Sequence, residues 1–203
     1  MLPIAVAGGR SDFAANGALL IAGANRRRAS RPGTVSEREV MTMYVIRERL
    51  FRLGEDSDIT DEAGQPVLHV DGKVLSLHNR LILQDPAGRE IGQVHRKLAA
   101  LRPTYEITLG GKDVAEVRKH LFTPFHDRFT IDVPGPSDLE INGDLLSHEF
   151  TIERDSQTVA TVSKRWLSMT ASYAVGVSPG EDDVLILAAV LALDLAIDAE
   201  HDH

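Results

Sequence analysis

SPGEDDVLILAAVLALDLAIDAE, residues 178–200, is the stretch whose reading decides the fold. Ser178, Pro179 and Glu181 read as a helix start: a Ser cap, Pro at the first helical position, and an acid three residues after the cap. Asp182 and Asp183 add negative charge at the positive end of the helix dipole. Every residue from Val184 to Leu193 is apolar, so a helix over about 181–198 has no polar face to turn to water. Such a helix is buried in protein or in membrane. The uninterrupted run is about half the ~20 residues that cross a bilayer, and Asp194 ends it. Enclosure by protein is therefore the expectation, and the chain is not expected to be transmembrane.

The residues that would enclose it come before it. From Met43 onward, short segments rich in β-branched and aromatic residues are separated by turn signals at roughly 8–12-residue spacing, the pattern of a barrel or sandwich. The turns are read at Asp61–Gly64, Asp71-Gly72-Lys73, Asp85–Gly88, Gly110-Gly111-Lys112, Pro134-Gly135-Pro136, Asn142-Gly143-Asp144 and Arg154-Asp155-Ser156. About twelve strands fit between Tyr44 and Val177. The spacing predicts a mostly β fold, a closed antiparallel barrel around the hydrophobic C-terminal helix. A weak repeat supports closure from similar hairpins: QVHRKL (93–98), EVRKHL (116–121) and TVSKRW (161–166) share a Val, a basic pair and a large apolar residue.

Residues 1–42 are rich in Ala, Gly and Arg and hold no sustained period. They read as a disordered extension, or as sequence upstream of a start at Met41 or Met43. The apolar Ala18–Ala22 is short for a secretory signal, and Arg26–Arg28 follow rather than precede it. The domain is expected over 43–200. The chain has no Cys, which excludes disulfides and thiol chemistry and fits the cytoplasm. A net charge of −8 argues against general nucleic-acid or anionic-membrane binding driven by overall charge. Any anion site must be a local patch.

MYVIRERLF (43–51), VDGKVLSLHNRL (70–81), KLAALRPTYEI (97–107), LFTPFHDRFTIDVPG (121–135), SKRW (163–166) and SPGEDDVLILAAVLALD (178–194) resemble the LURP-one-related (LOR) family. The resemblance covers nearly all of 43–198. It implies the tubby C-terminal-like fold, which the phospholipid scramblases share: a barrel of about twelve strands closed around a hydrophobic C-terminal helix. For function it implies less. Plant relatives are linked to pathogen defence, and tubby proteins bind phosphoinositides through basic side chains.

Candidate chemistry is sparse. Arg96, Lys97, Arg118, Lys119, Lys164 and Arg165 sit in the three repeated strands; on adjacent strands they would form a patch able to grip a phosphoinositide or other anionic lipid headgroup, or an acidic peptide. The alternative is that they only solvate outer faces and discourage edge pairing. DSDITDEAGQPV (56–67) imitates a calcium loop at Asp56, Asp58 and Thr60 but has Asp61 where Gly is needed and Val67 where a bidentate Glu is needed. His126-Asp127 are strand neighbours that point to opposite faces, and His120 and His126 flank an apolar segment as structural histidines would. There is no Gly-x-Ser-x-Gly elbow, zinc-protease motif, P-loop or dinucleotide turn. No cofactor or metal is expected. The expectation is a non-enzymatic binding module for an anionic headgroup or a protein partner. The alternative is an enzyme, or a lipid-transfer or scramblase-like activity in a cavity beside the helix.

Overall fold

The computed structural model describes residues 40–47, 56–71, 80–120, 129–135, 137–164 and 172–201. Twelve strands run in chain order: β1 (Thr42–Arg47), β2 (Ser57–Asp61), β3 (Pro66–Asp71), β4 (Arg80–Gln84), β5 (Glu90–Arg96), β6 (Thr104–Leu109), β7 (Lys112–Lys119), β8 (Phe129–Asp132), β9 (Leu139–Asp144), β10 (Glu149–Arg154), β11 (Gln157–Ser163) and β12 (Ser172–Val177). Helix α1 (Asp183–His201) follows. Each strand pairs antiparallel with its chain neighbours, and β12 returns to β1, with Thr42 opposite Val177 and Arg47 opposite Ser172. The sheet is a closed barrel with no free edge. The expected architecture is the observed one. The extension over 1–42 lies outside the described residues, apart from Val40, Met41 and Thr42.

Alternation builds the core. Inward residues such as Ile46, Leu68, Leu81, Val94, Ile107, Val117, Ile131 and Ile152 are almost wholly excluded from solvent, and so is the helix from Ile186 to Ala196. At about 1.5–3 kcal/mol for each large side chain taken from water, this shared apolar interior is the main driving force for closure.

The helix start differs from the expectation. Ser178 is not the cap and Pro179 is not helical. Pro179 and Gly180 form a turn, with Gly180 at φ +88 and the Glu181 N–H 3.3 Å from the Ser178 carbonyl. Pro followed by a residue at positive φ is the type II turn signature, and here it prevails over the capping pattern. The cap is Asp182, whose Oδ1 accepts from the Leu185 N–H at 3.1 Å. The Ser178 hydroxyl instead donates to the Thr158 carbonyl.

Asn142-Gly143-Asp144 is likewise not a turn but the end of β9. Gly143, at φ +130, pairs with Phe150, and a Cβ there would lie 2.5 Å from the Glu149 carbonyl oxygen. The Gly is needed for close approach, and the chain reverses over Leu145–His148 instead. The expected turns at 61–64, 85–88, 110–111 and 154–156 are present, with Asp155 and Ser156 both at positive φ. Gly72, Lys73 and Pro136 lie outside the described residues.

The odd-numbered strands all end where the helix ends. We call that the distal end; the proximal end is where the helix begins. Most proximal connections are tight turns, whereas most distal connections are longer stretches of chain. Residues 97–103 and 145–148 are the distal connections that are described throughout.

Candidate functional site at the distal end of the barrel

Polar side chains pin the helix at both ends. Proximally, the Tyr44 hydroxyl donates to Asp183 Oδ2 at 2.7 Å, and Arg154 pairs with Glu181 at 2.6 Å. Burial and the Asp183 carboxylate push the Tyr44 phenol well above its ordinary value, so it remains a donor. Distally, Asp194 is a buried carboxylate on α1. The Tyr173 hydroxyl donates to its Oδ2, and His148 Nε2 lies 3.1 Å from its Oδ1. The His148 ring stacks on Tyr173 at 4.4 Å between centroids. The Tyr105 hydroxyl donates to the Leu195 carbonyl at 3.1 Å. An all-apolar helix has no preferred face, so these bonds fix its rotation and depth in the barrel.

The sequence marks Asp194 as the end of the apolar run but does not supply its partners. His148 and Tyr173 lie 46 and 21 residues away in the chain. Only closure of the barrel makes them neighbours.

The six candidate cations divide by register. Strands β5 and β7 are separated by β6, and β11 lies four strands beyond β7, so the patch of adjacent strands does not form. Lys97 and Arg118 meet on the outer wall through Glu116, which bonds Lys97 and receives Arg118 NH2 at 2.7 Å. Lys97 also lies 3.5 Å from Glu106, and Arg118 NH1 lies 2.5 Å from Asp132. These two cations are neutralised where they stand, as solvated faces require.

Arg96, Lys119 and Lys164 stand on the other face. Each comes two residues after an inward Val of the repeat: Val94, Val117 and Val162. Side chains two apart share a face, so the row continues inward at the distal rim. Arg96 stands opposite Tyr105, which reaches the helix. The Lys119 ammonium lies 5.8 Å from the ring of Phe129, itself buried. All three cations are half-buried. Arg165 lies outside the described residues, as do His126 and Asp127.

Charge differs between the two ends. The proximal end carries Asp61, Glu62, Asp85, Asp113, Asp155 and the run Glu181–Asp183, against Arg89, Lys112 and Arg154. The distal end carries Arg47, Arg96, Lys97, Arg102, Lys119 and Lys164. Carboxylates occur there too, at Asp56, Asp71, Asp144, Glu149 and Asp198, with Glu149 accepting from the Lys164 N–H at 3.0 Å, and part of the positive charge answers the negative end of the helix dipole. Arg47, Arg96 and Arg102 have no carboxylate partner among the described residues. No sequence periodicity shows this polarity, because it depends on which strand ends lie together.

The other candidates are structural. Asp58 and Thr60 are residues of β2 rather than of a calcium loop, and Asp58 lies 2.9 Å from His69. His120 Nε2 is 3.2 Å from the Thr130 hydroxyl. An outer groove of about 580 Å³ between β1 and β2 is lined by Arg47, Asp58, Asp61 and Glu62 among others. No helix among the described residues is long and apolar enough to cross a membrane.

The Lys97 ammonium and the Arg118 guanidinium hold the Glu116 carboxyl below the usual carboxylate range. A carboxylate whose pKa is lowered by folding stabilises the fold above its unfolded pKa, and that stability is lost as pH falls through the folded value. Glu116→Gln should therefore cost up to about 1 kcal/mol at neutral pH. The difference from wild type should close below about pH 4. Urea titrations at several pH values would check this; a constant difference down to strongly acidic pH would contradict the assignment.

Comparison with known proteins places this architecture. The chain is 31% identical over 162 residues to the uncharacterized protein YxjI of Bacillus subtilis (strain 168), covering 80% of this chain and 98% of YxjI. An X-ray structure of a protein from Arabidopsis thaliana superposes with a TM-score of 0.57 at 16% identity, over 77% of this chain and 91% of that one. That likeness is one of fold. The LURP-one-related family matches residues 42–194, nearly the whole barrel and most of its helix. The chain belongs to the LURP-one-related (LOR) family.

Proposed function

We propose that this chain is a non-enzymatic binding module whose distal rim takes an anionic, phosphate-type group. The observation that carries the reading is the inward position of Arg96 and Lys119 at the rim, on strands two apart, with Lys164 on the same rim and Arg96 without a carboxylate partner among the described residues. A half-buried cation is a stronger anion ligand than a solvated one, since less water competes for it. The acidic proximal end repels the same ligand and orients its approach. The buried His148, Asp194 and Tyr173, which alone would suggest acid–base chemistry, support a binding role instead, because their bonds hold the helix.

The test is calorimetric titration of the full chain with inositol trisphosphate, a soluble polyphosphate without acyl chains. Exchanging Arg96, Lys119 and Lys164 together for Gln should weaken binding by at least ~10-fold, since hydrogen bonds to charged groups contribute about 1.5–3 kcal/mol each. Lys97→Gln, on the outer wall, should leave it unchanged. Equal affinity in the triple variant and the wild type would overturn the reading.

A further inference from the structure

We propose that the distal end docks on the surface of an anionic lipid bilayer, with Leu98, Leu101 and Leu146 entering the boundary between headgroups and acyl chains. This rests on the reading of the distal rim as an anion site and adds what presents the anion.

The large apolar residues left exposed among the described residues are Val40, Leu98, Leu101 and Leu146, at 80%, 79%, 99% and 63% exposure. Scattered exposed leucines need no explanation. These three leucines share one end of the barrel. Leu98 and Leu101 lie on the β5–β6 connection and Leu146 on the β9–β10 hairpin, and both connections are distal.

Neither connection is loosely held. The base of 97–103 is tied by the Lys97 N–H to the Thr104 carbonyl at 2.9 Å and by the Lys119 N–H to the Pro103 carbonyl at 3.1 Å. In the hairpin, the Ser147 N–H and hydroxyl both donate to Asp144, Leu145 turns into the core, and His148 is fastened to Asp194 on the helix. Leu146 is thereby held outward. A fixed hairpin that keeps a leucine in water presents it to something.

Charge identifies the occupant. The exposed connection reads Leu98-Ala99-Ala100-Leu101-Arg102, an apolar tip closed by a cation that has no carboxylate partner among the described residues. This is the arrangement that suits an interface in which leucines meet acyl chains while cations remain among phosphates. The distal cations stand behind the leucines, and the acidic proximal end faces away from the surface, so one orientation satisfies both charge and apolarity. An acidic protein surface would satisfy the cations but would leave the leucine tips without a partner of their kind.

The experiment is sedimentation of the full chain with phosphatidylcholine vesicles, with and without phosphatidylserine, beside the inositol trisphosphate titration. Leu98, Leu101 and Leu146 are exchanged together for Ser; as exposed residues they should leave the melting temperature unchanged. The expected result is binding to the phosphatidylserine vesicles alone, weakened at least ~10-fold in the leucine variant. Trisphosphate affinity should be the same in that variant as in the wild type. Equal sedimentation of variant and wild type overturns insertion and leaves the anion site standing. Trisphosphate binding without vesicle binding overturns the bilayer and makes an acidic protein the partner. Vesicle binding that needs the leucines but survives exchange of Arg96, Lys119 and Lys164 for Gln overturns the anion reading on which the proposal rests.

Discussion

Val190→Asp is expected to abolish the folded barrel. Val190 lies at the middle of α1 with none of its surface exposed, and its helical neighbours Ile186, Leu187, Leu191, Leu193 and Ala189 are equally enclosed. A carboxylate there would lose its hydration and gain no cation or donor. An unpaired buried charge costs several kcal/mol even after the structure relaxes. Net stabilities of single domains lie at about 5–15 kcal/mol, so most of the margin would go. The variant should be insoluble on expression or show no cooperative thermal transition. Val190→Ala, which only trims the side chain, should cost a few kcal/mol and still fold. A soluble Val190→Asp protein with an unchanged melting temperature would show that the helix is not the core.

Asp194→Ala should cost about 3–5 kcal/mol, the range for removing one partner of a buried ionic hydrogen-bonded group. The loss comes less from the missing carboxylate than from what remains: the Tyr173 hydroxyl and His148 Nε2 would lie buried with their acceptor gone. Asp194→Asn keeps an acceptor and should cost less. Exchanging Asp194 for Leu together with Tyr173→Phe and His148→Leu should recover much of the stability while loosening the helix, because the donors are removed with the acceptor. Denaturant titrations give the free energies, and hydrogen exchange of the α1 amides reads the loosening. A cost under about 1 kcal/mol for Asp194→Ala would mean that the cluster does not hold the helix.

The two variants probe different properties of one element. Val190 concerns whether the helix is enclosed; Asp194 concerns how it is oriented once enclosed. Apolar burial supplies most of the free energy but no direction, since it is roughly proportional to area. Tyr44–Asp183, Tyr173–Asp194 and Tyr105–Leu195 supply direction, each joining the barrel wall to one depth along the helix axis. A barrel whose interior is locked at both ends leaves its rim as a firm platform, which is what a binding surface at the distal end requires.

What the sequence determined by itself follows from local rules. Residues Val184–Leu193 have no polar face, so the helix had to be buried, and strand alternation with turn chemistry every few residues supplied a barrel to bury it. The signals at Ser178 and Asn142-Gly143 are also local. Each signal fits two structures, and the choice fell to Gly180 at positive φ and to the close approach of Phe150 to Gly143. The site was legible only in part. The repeat gave the basic positions, but whether a cation faces Glu116 or the rim depends on its register with a neighbouring strand. That Leu98 and Leu146 share the distal end, that His148 meets Asp194, and that cations gather at one end all depend on how a twelve-strand sheet closes. Those placements involve residues tens of positions apart. Local pattern specifies each strand and its faces, while tertiary closure alone decides which strand ends share a surface.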